Sequence, residues 1–96
     1  MKSIEALNHI YTHQIVAILR GIAADKAKDV ASALAEGGVK TLEITLNSPK
    51  ALRVIEHLAD TIGADVLIGA GTVLDAESAR VAIYAGARFI DRKSVV

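Results

Sequence analysis

Four runs along the chain are dominated by Ile, Val and Leu: Gln14 to Leu19, Thr41 to Leu46, Asp65 to Ala70 and Arg88 to Ile90. Short apolar runs of this kind, bounded by turn residues, are the pattern of buried parallel strands. Between them the apolar positions recur at helical spacing. Ala27, Val30, Ala31 and Leu34 share one face of a helix for which Asp25 is the expected N-cap, and Gly37 and Gly38 stand where a left-handed C-cap is wanted. Ser48 followed by Pro49 reads as a cap with proline at the first helical position, ahead of Leu52, Ile55, Leu58 and Ala59. A third helix is expected from Asp75, with Ala79, Ala82 and Ile83 inward and a stop at Gly86. Ser3 to Thr12 predict a further helix before the first strand.

The resulting order is α, then β-α-β-α-β-α-β, with strand starts about 23 to 27 residues apart, the rhythm of a parallel α/β sheet. A doubly wound open sheet and an eight-stranded (β/α) barrel share that rhythm. TLEITL favours the barrel. Leu42, Ile44 and Leu46 form an apolar face suited to a helix layer, while Thr41, Glu43 and Thr45 face the other way, and an open sheet covered by helices on both sides has little room for a polar face. EGGVKTLE (Glu36 to Glu43) also aligns weakly with YAGARFID (Tyr84 to Asp91), two βα units on, as layering by alternate strands would give. Chance similarity over so short a segment is the competing explanation.

Composition narrows the classes. The 96 residues are 52% hydrophobic and carry no cysteine, which removes a disulfide scaffold and a thiolate zinc site, and fits a reducing cytoplasm. Eleven basic residues balance eleven acidic ones, so no basic footprint for nucleic acid exists. Arg20, Asp25, Glu36, Glu43 and Asp60 interrupt every apolar stretch that could span a membrane, and MKSIEALNHIYTH lacks the apolar region of a signal peptide. The expectation is a soluble cytoplasmic protein.

In parallel α/β proteins ligands sit at the carboxyl ends of the strands. Those ends read Arg20-Gly21, Asn47-Ser48-Pro49 and Gly69-Ala70-Gly71-Thr72. The glycine-rich run before a helix offers backbone N–H groups to a carboxylate or phosphate, or is merely a tight turn. Glu43, pointing into a barrel, would be partly desolvated and so a competent general acid or base, unless it is paired with Arg20. Arg20 in turn would clamp a substrate carboxylate or serve only that pair. His9 and His13 near the end of the first helix and His57 on a helix surface show no metal-binding spacing. No lysine is well placed for imine chemistry: Lys2, Lys26, Lys28 and Lys50 fall on helices or termini, Lys40 precedes a strand and Lys93 lies in the tail.

IVAILRG (Ile15 to Gly21), GGVKTLEITLNSP (Gly37 to Pro49) and LIGAGTVL (Leu67 to Leu74) together resemble, in order and spacing, the 2-keto-3-deoxy-6-phosphogluconate and 4-hydroxy-2-oxoglutarate aldolase family. The resemblance covers about Ile15 to Ile90 and implies the N-terminal half of a (β/α)8 TIM barrel, a homotrimer, and class I Schiff-base cleavage of a 2-oxo acid to pyruvate and an aldehyde without metal or organic cofactor. It implies Glu43 as the general acid/base, with Arg20, Gly71, Thr72 and Asn47 lining the substrate pocket and Thr72 holding the pyruvyl carboxylate. Asn47 stands where many phosphogluconate-type members have arginine, and NSP is closer to members acting on the phosphogalactonate isomer. The family's imine-forming lysine and phosphate-binding loops lie on later strands, so a fragment of this length is expected to be inactive alone. Two further readings are a non-catalytic half-barrel that self-associates and another sugar-phosphate barrel enzyme such as an epimerase. The final DRKSVV (Asp91 to Val96) departs from the family pattern, breaks the strand with three polar residues, and matches the translation of the sequencing-adapter segment GATCGGAAGAGCGTCGTG, so residues 1–90 are expected to be the partial barrel and 91–96 a non-native tail.

Overall fold

The computed structural model describes residues 15–92 together with Glu5. The helix expected over Ser3 to Thr12, with His9, and also His13 and Lys93, lie outside the described residues or extend beyond them. The elements are β1 (Ala17–Leu19), α1 (Ala24–Glu36), β2 (Thr41–Thr45), α2 (Ala51–Ile62), β3 (Leu67–Val73), α3 (Ala76–Ala85) and β4 (Ile90–Arg92). All strand pairs are parallel and the sheet order is β1-β2-β3-β4. Sequential order without a reversal point is how a singly wound barrel grows, whereas a doubly wound sheet changes direction.

One face of the sheet builds the core. Leu42 and Ile44 of β2, Ile68 and Ala70 of β3 and Ile90 of β4 pack against Ala27 and Ala31 of α1, Val54, Ile55 and Leu58 of α2 and Ala82 of α3. Leu42, Ile44, Ile55 and Leu58 are wholly buried, and each contributes about 1.5–3 kcal/mol relative to exposure. Ala82 of α3 lets that helix approach β3 closely, while α1 packs chiefly against α2. The opposite face carries Ile18, Thr41, Glu43, Thr45, Leu67, Gly69, Gly71, Phe89 and Asp91 by register and alternation. Ile18 is 57% exposed there, whereas Thr41, Glu43, Thr45 and Leu67 on the same face are buried.

Several boundaries differ from those the pattern predicts. β1 is shorter than Gln14 to Leu19, because Ala17 is already opposite Leu42 and β2 begins at Thr41, leaving Ile15 and Val16 almost no ladder to join. β3 starts later and runs further: the amides of Asp65 and Val66 still donate to Ile62 O at the end of α2, while Gly69 and Gly71 pair opposite Glu43 and Thr45. β4 is displaced the same way, continuing through Asp91 and Arg92, so the expected break at Asp91 does not occur.

The caps divide. Asp75 caps α3, accepting from Ser78 N at 2.7 Å, and Gly86 ends that helix at φ 125°, a conformation open to glycine. Asp25 does not cap α1; Ala23 is at that position without a side-chain bond and Asp25 lies within the first turn. Ser48 does not cap α2 either. That helix begins at Ala51, after Lys50 in a left-handed conformation at φ 56°. Val30, Leu52 and Ile83, expected inward, are partly or largely exposed, while Ala51 and Val54 take inward places on α2.

Candidate active site

Glu43 sits at the middle of β2, between Ile18 of β1 and Gly69 of β3. Alternation turns its neighbours Leu42 and Ile44 into the helix-facing core and leaves its carboxyl on the polar face, where it is only 6% exposed. The next strand makes room for it. A Cβ on Gly71 would collide with the Glu43 carboxyl, and a Cβ on Gly69 would fall into the Phe89 ring. The two glycines are therefore floor tiles over which a carboxylate and an aromatic ring lie flat. This corrects the expectation that they present amides before a helix: both are inside β3, and the amide of Leu46 donates to Gly71 O at 2.9 Å as part of the sheet.

Burial pushes the Glu43 carboxyl up from its ordinary 4.5 to about 6, with a second contribution from the charge of Asp91 and a third from a hydrogen bond with it. No ion pair with Arg20 offsets these effects. Arg20 is exposed at the end of β1, so the structural pairing open in the sequence is not formed. A carboxyl titrating near neutrality can both give and take a proton at working pH, which is the property general acid–base catalysis needs.

Thr72 has φ 55°, an uncommon conformation for a β-branched residue, and the ladder to β4 shifts register between Ala70 and Val73. The irregularity breaks the alternation: Val73 joins the helix-side core rather than following Gly71 onto the polar face. A bulge here re-aims the strand just beyond the carboxylate. Thr72 is half-buried within it.

Asn47 is exposed in the turn after β2, whereas the adjacent Ser48 is buried. The Ser48 hydroxyl accepts from Gly21 N at 2.8 Å and lies 2.7 Å from the Thr45 hydroxyl. It thus joins the turn carrying Arg20 to the end of the strand carrying Glu43. A groove of about 500 Å³ opens alongside, lined by Gly21, Ile22, Ala24, Asp25, Pro49 and Lys50. Glu43 and Gly71 meet on the polar face, and the Ser48 tie lies beyond them at the carboxyl end of β2; Arg20, Asn47 and Thr72 stand on the three strand-end segments.

Among the described lysines, Lys26 and Lys28 are exposed on α1, Lys50 is exposed before α2, and Lys40 lies at the opposite end of β2 from the turn that bears Asn47. His57 is exposed on α2. No group of three or more His, Cys, Asp or Glu able to hold a metal occurs among the described residues, and none of their helices is long and apolar enough to cross a membrane.

Phe89 and Asp91 also border Glu43 and its strand, Phe89 against Gly69 and Asp91 against Glu43, although the sequence pattern marks Phe89 only as a strand residue and Asp91 only as the start of the polar tail. Their part depends on register across β3, and the repeated glycines at Gly69 and Gly71 were the one local sign that bulky groups lay opposite.

A singly wound parallel α/β sheet with helices on one face and a buried carboxyl on the other is the pattern of a partial (β/α) barrel. A sequence model described as KDPG and KHG aldolase matches residues 6–92, and the chain belongs to that family. It is 40% identical over 76 residues to 2-dehydro-3-deoxy-6-phosphogalactonate aldolase of Escherichia coli, a match covering 79% of this chain and 37% of that protein. The structure superposes with a TM-score of 0.83 on 2-keto-3-deoxy-6-phosphogluconate aldolase of Zymomonas mobilis with 3-phosphoglycerate, at 29% identity over 99% of this chain and 44% of that one. It also matches, with a TM-score of 0.73 and 37% identity over 78% of this chain and 36% of the other, KDPG aldolase of Legionella pneumophila with pyruvate captured as a covalent carbinolamine. The matched segments span 28 to 41% of the curated relatives. The fold is thus a partial TIM-type barrel.

Proposed function

We propose that this chain carries the acid–base half of a class I aldolase site that cleaves a 2-keto-3-deoxy-6-phospho sugar acid, or a related 2-oxo acid, to pyruvate and an aldehyde. The observation that supports it most is Glu43: a carboxyl buried against Gly71 on the polar face, titrating at about 6. In its protonated form it gives a proton to the carbinolamine hydroxyl, which leaves as water as the imine forms. In its ionised form it takes the proton of the substrate hydroxyl whose carbon becomes the aldehyde, and later returns a proton to the pyruvyl carbon. Arg20, Asn47, Gly71 and Thr72 line the pocket, Thr72 and the Arg20 turn lying where the 2-oxo acid carboxylate is held. The amine that forms the imine comes from a part of the barrel other than the described lysines, and the 96-residue chain does not turn over substrate alone. The Asn47-Ser48-Pro49 turn favours the phosphogalactonate isomer. The working form is a metal-free homotrimer in the cytoplasm.

The experiment is a lactate-dehydrogenase-coupled assay of pyruvate release from both phospho sugar acid isomers. It compares the 96-residue chain with a graft in which residues 1–90 replace the matched segment of the E. coli relative. The expected result is no turnover by the chain, turnover by the graft, and faster cleavage of the galactonate isomer. Pyruvate release by the chain alone, or a stable borohydride adduct of pyruvate on one of its lysines, contradicts the division of the site; an inactive but folded graft contradicts the aldolase reading.

A further inference from the structure

We propose that Ser48 is a positioning residue for this site: its hydroxyl fixes the turn that carries Arg20 against the end of the strand that carries Glu43. The inference rests on the aldolase reading for its purpose, and on the hydrogen-bond geometry for its existence. Ser48 is 8% exposed between exposed neighbours Asn47 and Pro49, so this side chain is turned inward from a surface turn. The ordinary use of a serine before a proline, capping the following helix, is not made. Only its backbone carbonyl serves α2, accepting from Ala51 N at 3.3 Å.

The hydroxyl is used across the sheet. Gly21 N donates to it at 2.8 Å from a residue 27 positions away, and Thr45 Oγ1 lies 2.7 Å from it. A hydroxyl has one hydrogen and two lone pairs. With one lone pair taken by Gly21, the contact with Thr45 is satisfied by either hydroxyl donating to the other, so both buried groups have partners. The amide that Ser48 accepts belongs to the peptide bond between Arg20 and Gly21. Gly21 is at φ 69°, so the chain turns sharply there, and holding this peptide plane sets the direction in which Arg20 leaves β1. Thr45 lies two residues beyond Glu43 on the same face of β2, so the Ser48 hydroxyl is a side-chain link from the Arg20 turn to the carboxylate strand, added to the backbone ladder between β1 and β2.

A pair of nearly isosteric substitutions isolates the hydroxyl: Ser48→Thr keeps it and Ser48→Val removes it. The measurement is NMR amide exchange at Gly21 in the labelled graft of residues 1–90, with pyruvate titrated as the probe of the site. Ser48→Val is expected to raise Gly21 exchange about tenfold relative to the β2 and β3 amides and to weaken the pyruvate-induced shifts, while Ser48→Thr retains both. Gly21 exchange unchanged in Ser48→Val overturns the positioning role whatever pyruvate does. Gly21 exchange that follows the hydroxyl while pyruvate affinity stays equal in the two variants reduces Ser48 to a structural bond and also overturns it. A graft with Ser48 intact that shows no pyruvate-induced shift contradicts the aldolase reading instead, and with it the purpose assigned to the tie. Should Ser48→Val fail to fold, Ser48→Ala removes the same hydroxyl without added bulk and is expected to raise Gly21 exchange likewise; unchanged exchange there overturns the assignment.

Discussion

A carboxyl whose folded pKa is raised costs stability when ionised. The folded chain holds the Glu43 proton more tightly than the unfolded one between pH 4.5 and 6, so this residue makes stability fall as pH rises through that window. Above it the full cost is present, about 2 kcal/mol. Urea unfolding of wild type and Glu43→Gln at pH 4.5 and 7 is expected to show a pH-dependent difference of that sign, and equal slopes would show that Glu43 is not perturbed. Asp91→Asn removes the second cause, so the Glu43 titration followed by carboxyl NMR is expected to move back toward its ordinary value. Gly71→Ala acts from the other side. Its methyl group occupies the place of the carboxyl, so Glu43 must swing into solvent and its pKa drops as well. Thr41, buried on the same face with a hydroxyl that has no partner, is expected to tolerate valine, with stability unchanged or raised by about 1 kcal/mol.

At the scale of elements, β2 was legible because alternation is local: TLEIT declares which side chains enter the core and which form the polar face, and the structure follows it residue by residue. The cap at Asp75 and the stop at Gly86 were legible for the same reason, each depending on groups within one turn. Gly86→Ala, placed at φ 125° and 2.7 Å from the Ala59 Cβ, is expected to cost about 1–3 kcal/mol in a thermal or urea melt. What pattern alone did not show was any role decided between strands. β3 extends to Val73 because its glycines pair opposite β2, β4 takes in Asp91 and Arg92 by joining β3, and Ser48 abandons its own helix for an amide on another loop. Local rules describe Ser48-Pro49 as a helix start; burial of the hydroxyl against Gly21 and Thr45 prevails over them.

At the scale of the molecule, the sheet among the described residues ends at β1 and β4, each paired on one side, and Ile18 is exposed on the polar face. Unpaired parallel edges invite further strands. Sedimentation of the isolated chain is expected to show heterogeneous association rather than a single dimer, and a monodisperse dimer would favour the self-associating half-barrel. Glu43 has its burial and its glycine neighbour within these strands. The most direct measurement is kcat for pyruvate release by the graft of residues 1–90, with Glu43 and with Glu43→Gln. The expected loss is about 10²- to 10⁴-fold with folding retained; a Glu43→Gln graft that keeps kcat within about threefold would contradict the role of Glu43 as the proton-transfer residue.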